Sequence, residues 1–171
     1  LVGTRFNEEF FDIAISNEGF LYVVGETSDE NTNPTTGEPG TDDILLSKLD
    51  SNGKIIWTKT FGDSLDEVGY SVELDSNGDL FIGGRTNGNL NGIQNNGDYD
   101  VFLMKLDSDG EEIWTKLFGS KNEEGLSHFE FFNDSIYLTG YSVGGELEQN
   151  TASGDDEIII FRIDDPIENK T

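Results

Sequence analysis

Apolar residues recur at every second position over short stretches, as at Val72 and Leu74 or at Leu80 and Ile82, and turn signals such as Asn77-Gly78 separate the stretches. A period of two places such residues on one face of an extended strand. The pattern predicts a first set of strands at 10–16, 69–75 and 127–132, and a second at 20–25, 79–84 and 135–140. A third set is expected at 43–49, 100–106 and 157–163, and a fourth at 54–61 and 111–118. No helix is required.

The strand sets follow an internal repeat. "DILLSKLDSNGKIIWTKTFG" at 43–62 and "DVFLMKLDSDGEEIWTKLFG" at 100–119 are identical at 13 of 20 positions. A second block returns as "IAISNEGFLYVVGETS", "VELDSNGDLFIGGRTN" and "FEFFNDSIYLTGYS", whose Gly25, Gly84 and Gly140 lie 59 and 56 residues apart. The period is near 57, which gives three units, 1–59, 60–116 and 117–171. Four antiparallel strands repeated at such a spacing are the sequence pattern of a propeller blade. The expected class is therefore all-β, with propeller-type blades of four antiparallel strands.

The stretches "LDSNGDLFIGGRTNGNL", "DYDVFLMKLDSDGEEIWTKLFGS" and "NEEG" resemble the bacterial β-propeller repeat family known as SBBP, the seven-bladed propeller repeat. The resemblance rests on the combined spacing of Gly-Arg/Tyr-Thr, Lys-Leu-Asp, Gly-x-x-x-Trp and Phe-Gly. It implies a large secreted or cell-surface parent protein and no general catalytic residues. Gly-x-x-x-Trp after Lys-Leu-Asp is also similar to the tryptophan-docking repeat of quinoprotein dehydrogenases and outer-membrane assembly lipoproteins, which build eight blades. Three units cannot do so, and fold alone does not license function.

The units run out of phase with the chain ends. Leu1, Val2 and Gly3 stand where Thr60, Phe61 and Gly62 stand one unit later, and the third unit reads "DDPIENKT" where the Trp strand is expected. A start at Leu1 is what a mature or excised segment shows. Either the chain is an arc of a longer propeller, whose remaining blades lie elsewhere, or copies meet as a homo-oligomer, in a closed ring or an open filament.

Composition narrows the partners. A hydrophobic fraction of 34% with 11% aromatics supports a packed core. Thirty-five acids against 10 bases give a net charge of −25, which repels phosphate backbones and anionic bilayers. Nucleic acid is not an expected partner. No apolar run of about 18 residues is present, so no membrane insertion by a helix is expected. Zero cysteines exclude disulfides and thiol chemistry.

Strand order sends the connections 26–42, 85–99 and 141–156 to one end of the blades, and long loops on a rigid scaffold are where binding sits. The same end repeats acidic pairs. Asn7-Glu8, Asp66-Glu67 and Glu123-Glu124 precede first strands, while Asp42-Asp43, Asp98 with Asp100, and Asp155-Asp156-Glu157 precede third strands. Clusters of oxygen donors suit Ca²⁺, which takes six to eight oxygens, so one Ca²⁺ per blade is the metal expectation, against a plain solvated acidic rim. The Asp-Ser-Asn-Gly and Asp-Ser-Asp-Gly pieces lack the later ligands of an EF-hand and read as hairpin turns.

Lys48, Lys105 and Arg162 occupy equivalent positions and are expected to pair with neighbouring carboxylates. Trp57 and Trp114 are expected between blades as packing. His128 takes the place held by Asp12 and Ser71 in the other units, without a second histidine or cysteine nearby, and reads as structural. No nucleophile elbow, phosphate loop or His-based zinc motif is present, and carboxylates that recur in every unit do not single out a glycosidase pair. The functional expectation is a non-catalytic, extracellular or cell-surface structural module that self-associates or binds a partner. The alternative is a carbohydrate-binding or adhesion module with a surface glycan or protein as its partner, disfavoured because the long loops hold only Tyr99 and Tyr141 as aromatics.

Overall fold

The computed structural model describes residues 7–28, 42–63, 65–132, 135–143, 146–147, 150–151 and 157–164. The residues Leu1 to Gly3 and the end of "DDPIENKT" lie outside them.

Three antiparallel sheets follow one another along the chain. The first has β1 (Glu8–Ile15), β2 (Leu21–Ser28), β3 (Asp42–Leu49) and β4 (Ile55–Phe61), in that order across the sheet. The second repeats it with β5 (Glu67–Leu74), β6 (Leu80–Thr86), β7 (Asp100–Leu106) and β8 (Glu112–Phe118). In the third, β9 (Glu123–Phe132) pairs with β10 (Ser135–Val143), and the short pair β11 (Glu146–Leu147) and β12 (Asn150–Thr151) precedes β13 (Glu157–Asp164), which pairs with β10. The expected all-β architecture of four-stranded blades holds. Among the described residues the third sheet has three strands, and a 3₁₀ turn at Leu90–Gly92 is the one helical piece.

Each first strand carries a bulge, in which one extra residue opposes none on its partner. The pairing steps from Phe10↔Gly25 to Asp12↔Val24 in the first sheet, and from Gly69↔Gly84 to Ser71↔Gly83 in the second. It steps from Leu126↔Gly140 to His128↔Thr139 in the third, so Phe11, Tyr70 and Ser127 are the inserted residues. The glycine opposite each bulge is required sterically. A Cβ at Gly25, Gly84 or Gly140 would collide with the carbonyl of Glu9, Val68 or Gly125. A bulge re-aims the residues that follow it, which here are Asp12, Ser71 and His128.

The sheets stack face to face. Tyr22, Val24, Ile44 and Leu46 of the first pack on Val72, Ile82, Phe102 and Met104 of the second, with Trp57 at the margin. Phe81, Val101 and Leu103 of the second pack on Leu126, Phe129, Ile136 and Leu138 of the third, with Trp114 at the margin. The indole of Trp114 meets Phe81 edge-on, with ring centroids 5.7 Å apart. Both tryptophans therefore take the packing role expected of them. At the two ends of the stack the equivalent faces are open. Ile13 and Ile15 are 53% and 65% exposed on the first sheet, and Ile158 and Ile160 are 87% and 65% exposed on the third.

Candidate functional site

The carboxylates at the long-loop end divide into buried and half-exposed sets. Glu67, the first residue of β5, and Glu124, the second of β9, are fully buried. Glu67 Oε1 accepts the Thr86 hydroxyl at 2.7 Å and its Oε2 accepts the Asp63 N–H at 2.9 Å. Glu124 is held in the same way, by the hydroxyls of Ser120 and Ser142 at 2.6 and 3.0 Å and by the Ser120 N–H at 2.7 Å. An Asp from the preceding blade's third strand reaches the same place. Asp43 lies with Glu67 against Gly62, and Asp100 lies against Gly119, close enough to Glu124 to feel its charge.

Burial, with the charge of Asp43 among the smaller causes, pushes the Glu67 carboxyl up to about 7. Asp100 is also raised, by burial first and then despite the Asn96 N–H that Oδ2 accepts at 2.9 Å. Its other oxygen, Oδ1, is buried with no hydrogen-bond partner. Glu157 begins β13 at the equivalent position, while Asp155 and Asp156 lie outside the described residues.

Of the remaining acids, Glu123 lies beside Arg85 and Asp66 reaches it through Tyr99. Glu26, Arg85 and Tyr141 each follow the glycine opposite a bulge, so repeat equivalence brings them to one region. Arg85 donates to Tyr141 Oη at 2.9 Å, lies 3.5 Å from Glu123, and stacks with its guanidinium carbon 4.5 Å from the Tyr99 ring centre. Tyr70 flanks it at 5.8 Å.

Tyr141 donates to Glu123 at 2.7 Å, and Tyr99 donates to Asp66 at 3.1 Å. Burial, followed by that Asp66 bond, pushes Tyr99 to about 12. Glu26 is raised by its burial and then by Asp42. Asp42 accepts the Ser28 hydroxyl at 2.6 Å and gives its N–H to Asp66, whereas Asp98 is exposed and gives its N–H to the Asn122 carbonyl, apart from the arginine. Sequence alone marks Asp42, Asp66, Glu123, Tyr99 and Tyr141, but neither Glu26 nor Arg85. The available signal was its place directly after Gly84 in the repeat.

At the opposite end the aspartates of the tight turns hold backbone. Asp50 Oδ1 accepts the N–H groups of Asn52 and Lys54, both at 2.9 Å, and Asp107 does the same for Asp109 and Glu111. Gly53 and Gly110 close these turns with φ of +78° and +75°. Lys105 pairs with Asp75 at 3.2 Å and Asp79 at 2.9 Å, as expected. Lys48 departs from the expectation. It donates to the Ser108 carbonyl at 3.0 Å and lies over the Phe20 ring, because its blade offers Ser16 where the second offers Asp75. Arg162 Nε meets Ser135 Oγ at 3.4 Å.

On the inner side of the stack β1, β5 and β9 lie side by side, and the residues after the three bulges meet. Ser71 Oγ lies 3.1 Å from Asp12 Oδ2 and 3.0 Å from His128 Nδ1, and Asp12 also accepts the Val72 N–H at 3.0 Å. Ser71 is fully buried in the middle of this chain of bonds. A hydroxyl so placed links blades.

Comparison with known proteins agrees with this architecture. The chain is 27% identical over 138 residues to "Regulatory protein FlaEY" of Caulobacter vibrioides, an alignment covering 72% of this chain and 14% of that protein. The chain thus spans about a seventh of that relative's length. The matched family model runs from β4 of the first sheet through β5 and β6 of the second: residues 56–91 match the Beta-propeller repeat of the SBBP family.

Proposed function

We propose that this chain is a non-catalytic structural module that assembles by stacking blades, with a second copy or further blades of a longer chain covering its two end faces. One observation carries the reading. Ile158 and Ile160 are exposed where the equivalent Ile44, Leu46, Val101 and Leu103 are buried beneath the next blade. At the other end, Ile13 is exposed where its equivalent Val72 is buried against the preceding blade. The two faces are complementary through the repeat, so a head-to-tail contact reproduces the packing already present twice inside the chain. Burying each such side chain is worth about 1.5–3 kcal/mol.

Head-to-tail contacts close into rings or run on as filaments. A ring of two copies has six blades, within the usual range. The buried polar groups favour a scaffold over a catalyst, since Ser71, Glu67 and Glu124 are engaged in links between strands and blades. The relative's name refers to regulation, which suits a module acting through contacts. The repeat's resemblance and the acidic composition support an extracellular or cell-surface setting as part of this reading. Calcium enters as a stabiliser of the Asp43–Glu67 and Asp100–Glu124 pairs, where Asp100 Oδ1 is a buried oxygen without a hydrogen bond.

Light scattering on the full chain, with Ca²⁺ and with a chelator, tests both parts. A dimer or larger species is expected, reduced to monomer by Ile160→Asp or by Ile13→Asp alone. Mixing the two variants should restore a dimer, since each keeps one intact face. A monomer at every concentration would sink self-association and leave only blades of a longer chain as the cover. An unchanged melting temperature in Ca²⁺ would remove calcium.

The Arg85 site supports a second reading, a carbohydrate-binding or adhesion module. Tyr70, Tyr99 and Tyr141 gather around Arg85 beside Asp66 and Glu123, so more aromatic surface meets at the long-loop end than the loops alone supply. Binding to a glycan array that Arg85→Ala abolishes is the expected result of this reading.

A further inference from the structure

His128, Glu130 and Glu73 form a group distinct from the long-loop carboxylates. His128 and Glu130 are two residues apart on β9 and share a face, and Glu73 comes from β5 beside it. The repeat makes this juxtaposition systematic. Ser71 and His128 are equivalent positions in adjacent blades, and so are Glu73 and Glu130. One ligand atom from each of the three residues lies within 4.8 Å of the other two, and His128 Nε2 is 3.8 Å from Glu130 Oε1.

The bonds behind His128 decide which nitrogen faces this group. Ser71 has one hydroxyl proton, and the carboxylate of Asp12 is the stronger acceptor for it. The Ser71 oxygen then accepts from His128 Nδ1–H, 3.0 Å away. In the neutral ring Nε2 then carries the lone pair, 3.8 Å from Glu130 Oε1 and too far for a hydrogen bond. A metal-bound imidazole is held in the same way, with one nitrogen anchored by its hydrogen bond and the other presented. Around a tetrahedral ion with metal–ligand distances of about 2.0–2.2 Å, ligand atoms lie roughly 3.3–3.6 Å apart, so the 3.8 Å pair needs a small contraction and the whole group, within 4.8 Å, must draw in on binding.

Among the described residues no lysine or arginine forms an ion pair with Glu73 or Glu130. Two carboxylates are therefore held close together, in a protein of net charge −25, with only an imidazole between them. We propose that Glu73, His128 and Glu130 bind one divalent ion of the zinc class between the second and third blades. One nitrogen and two carboxylates suit Zn²⁺, with water as the fourth ligand, better than Ca²⁺, which prefers six to eight oxygens. Asp12 and Ser71 are positioning residues for His128. The ion ties β5 to β9 on the inner side of the stack.

The test is titration calorimetry of the chelator-treated full chain with ZnCl₂ in excess Mg²⁺, which occupies the general acidic surface. One Zn²⁺ per chain is expected, with a rise in melting temperature. His128→Ala should weaken this event at least about tenfold while the far-ultraviolet spectrum stays unchanged. Glu130→Gln, at an exposed position, should weaken it similarly, and carries the test if His128→Ala does not fold. Substituting Co²⁺ should give the intense visible bands of a four-coordinate site in the native chain alone. Uptake that Mg²⁺ displaces entirely, or wild-type affinity in both variants, overturns the proposal.

Discussion

The Thr86 hydroxyl donates to Glu67 Oε1 at 2.7 Å in the interior of the second blade, and Ser142 repeats the bond to Glu124 at 3.0 Å in the third. The acid belongs to a first strand and the hydroxyl to the strand beside it, so the pair latches the long-loop end of the blade. Removing one partner leaves a buried acceptor unsatisfied, which costs about 1–3 kcal/mol. Thr86→Val keeps the shape and should lower stability by that amount. A lower denaturant midpoint with an unchanged slope checks it.

The same glutamate sets a pH dependence. Its carboxyl titrates at about 7 in the folded chain against an ordinary 4.5, chiefly through burial. Between these values the folded state holds a proton that the unfolded chain has released, so stability falls as pH rises. This contribution is fully present below about 4.5 and lost on passing about 7. Melting temperature should therefore decline over that range, and Glu67→Gln, which is neutral throughout, should flatten the decline.

Two glycines separate steric from conformational requirement. At Gly84 a methyl group would meet the Val68 carbonyl across the bulge, and Gly84→Ala should cost about 3 kcal/mol or more. At Gly53 nothing lies within reach of a Cβ, but φ is +78°, and Gly53→Ala should cost roughly 1–2 kcal/mol. Thermal unfolding of the two variants should rank them in that order. The reverse order would remove the bulge as the reason for Gly84.

Tyr99 supplies a spectroscopic check on the Arg85 cluster. Burial and the bond to Asp66 hold its phenol near 12. In an alkaline absorbance titration of the five tyrosines, one should ionise about that high. Asp66→Asn removes the carboxylate partner and should bring that step down.

Strand type, repeat length and turn chemistry were legible because each has a local cause. Alternation gives strands, Asn-Gly and Asp-Gly give turns, and Trp57 and Trp114 announce the edge strands. The starts of the first strands were not legible. Expected at 10, 69 and 127, they begin at Glu8, Glu67 and Glu123. The inserted Phe11, Tyr70 and Ser127 break the alternation at those points, and a buried glutamate satisfied by a hydroxyl from the next strand looks, in sequence, like a loop acid.

The candidate sites were legible in part. Asp66, Glu67, Glu123 and Glu124 were visible as recurring acids, but whether an acid is buried depends on partners such as Thr86 and Ser142 on another strand. Arg85 is inconspicuous because nothing near it in sequence reveals that Tyr99 and Tyr141 meet it. Glu73 and His128 are 55 positions apart and meet only because equivalent strands of successive blades lie side by side.

The three bulges divide each blade into a part that must stay the same and a part free to change. Residues on the stacked faces, such as Val72 and Phe129, are tied to the volumes of their neighbours. The residue after each bulge bonds across blades through polar atoms instead of filling an apolar space, and it is aspartate, serine and histidine in the three blades without any change of register. A duplicated blade can therefore acquire new chemistry along this inner strip while its packing remains that of its sisters. An array of near-identical units can in this way come to hold a single, asymmetric site.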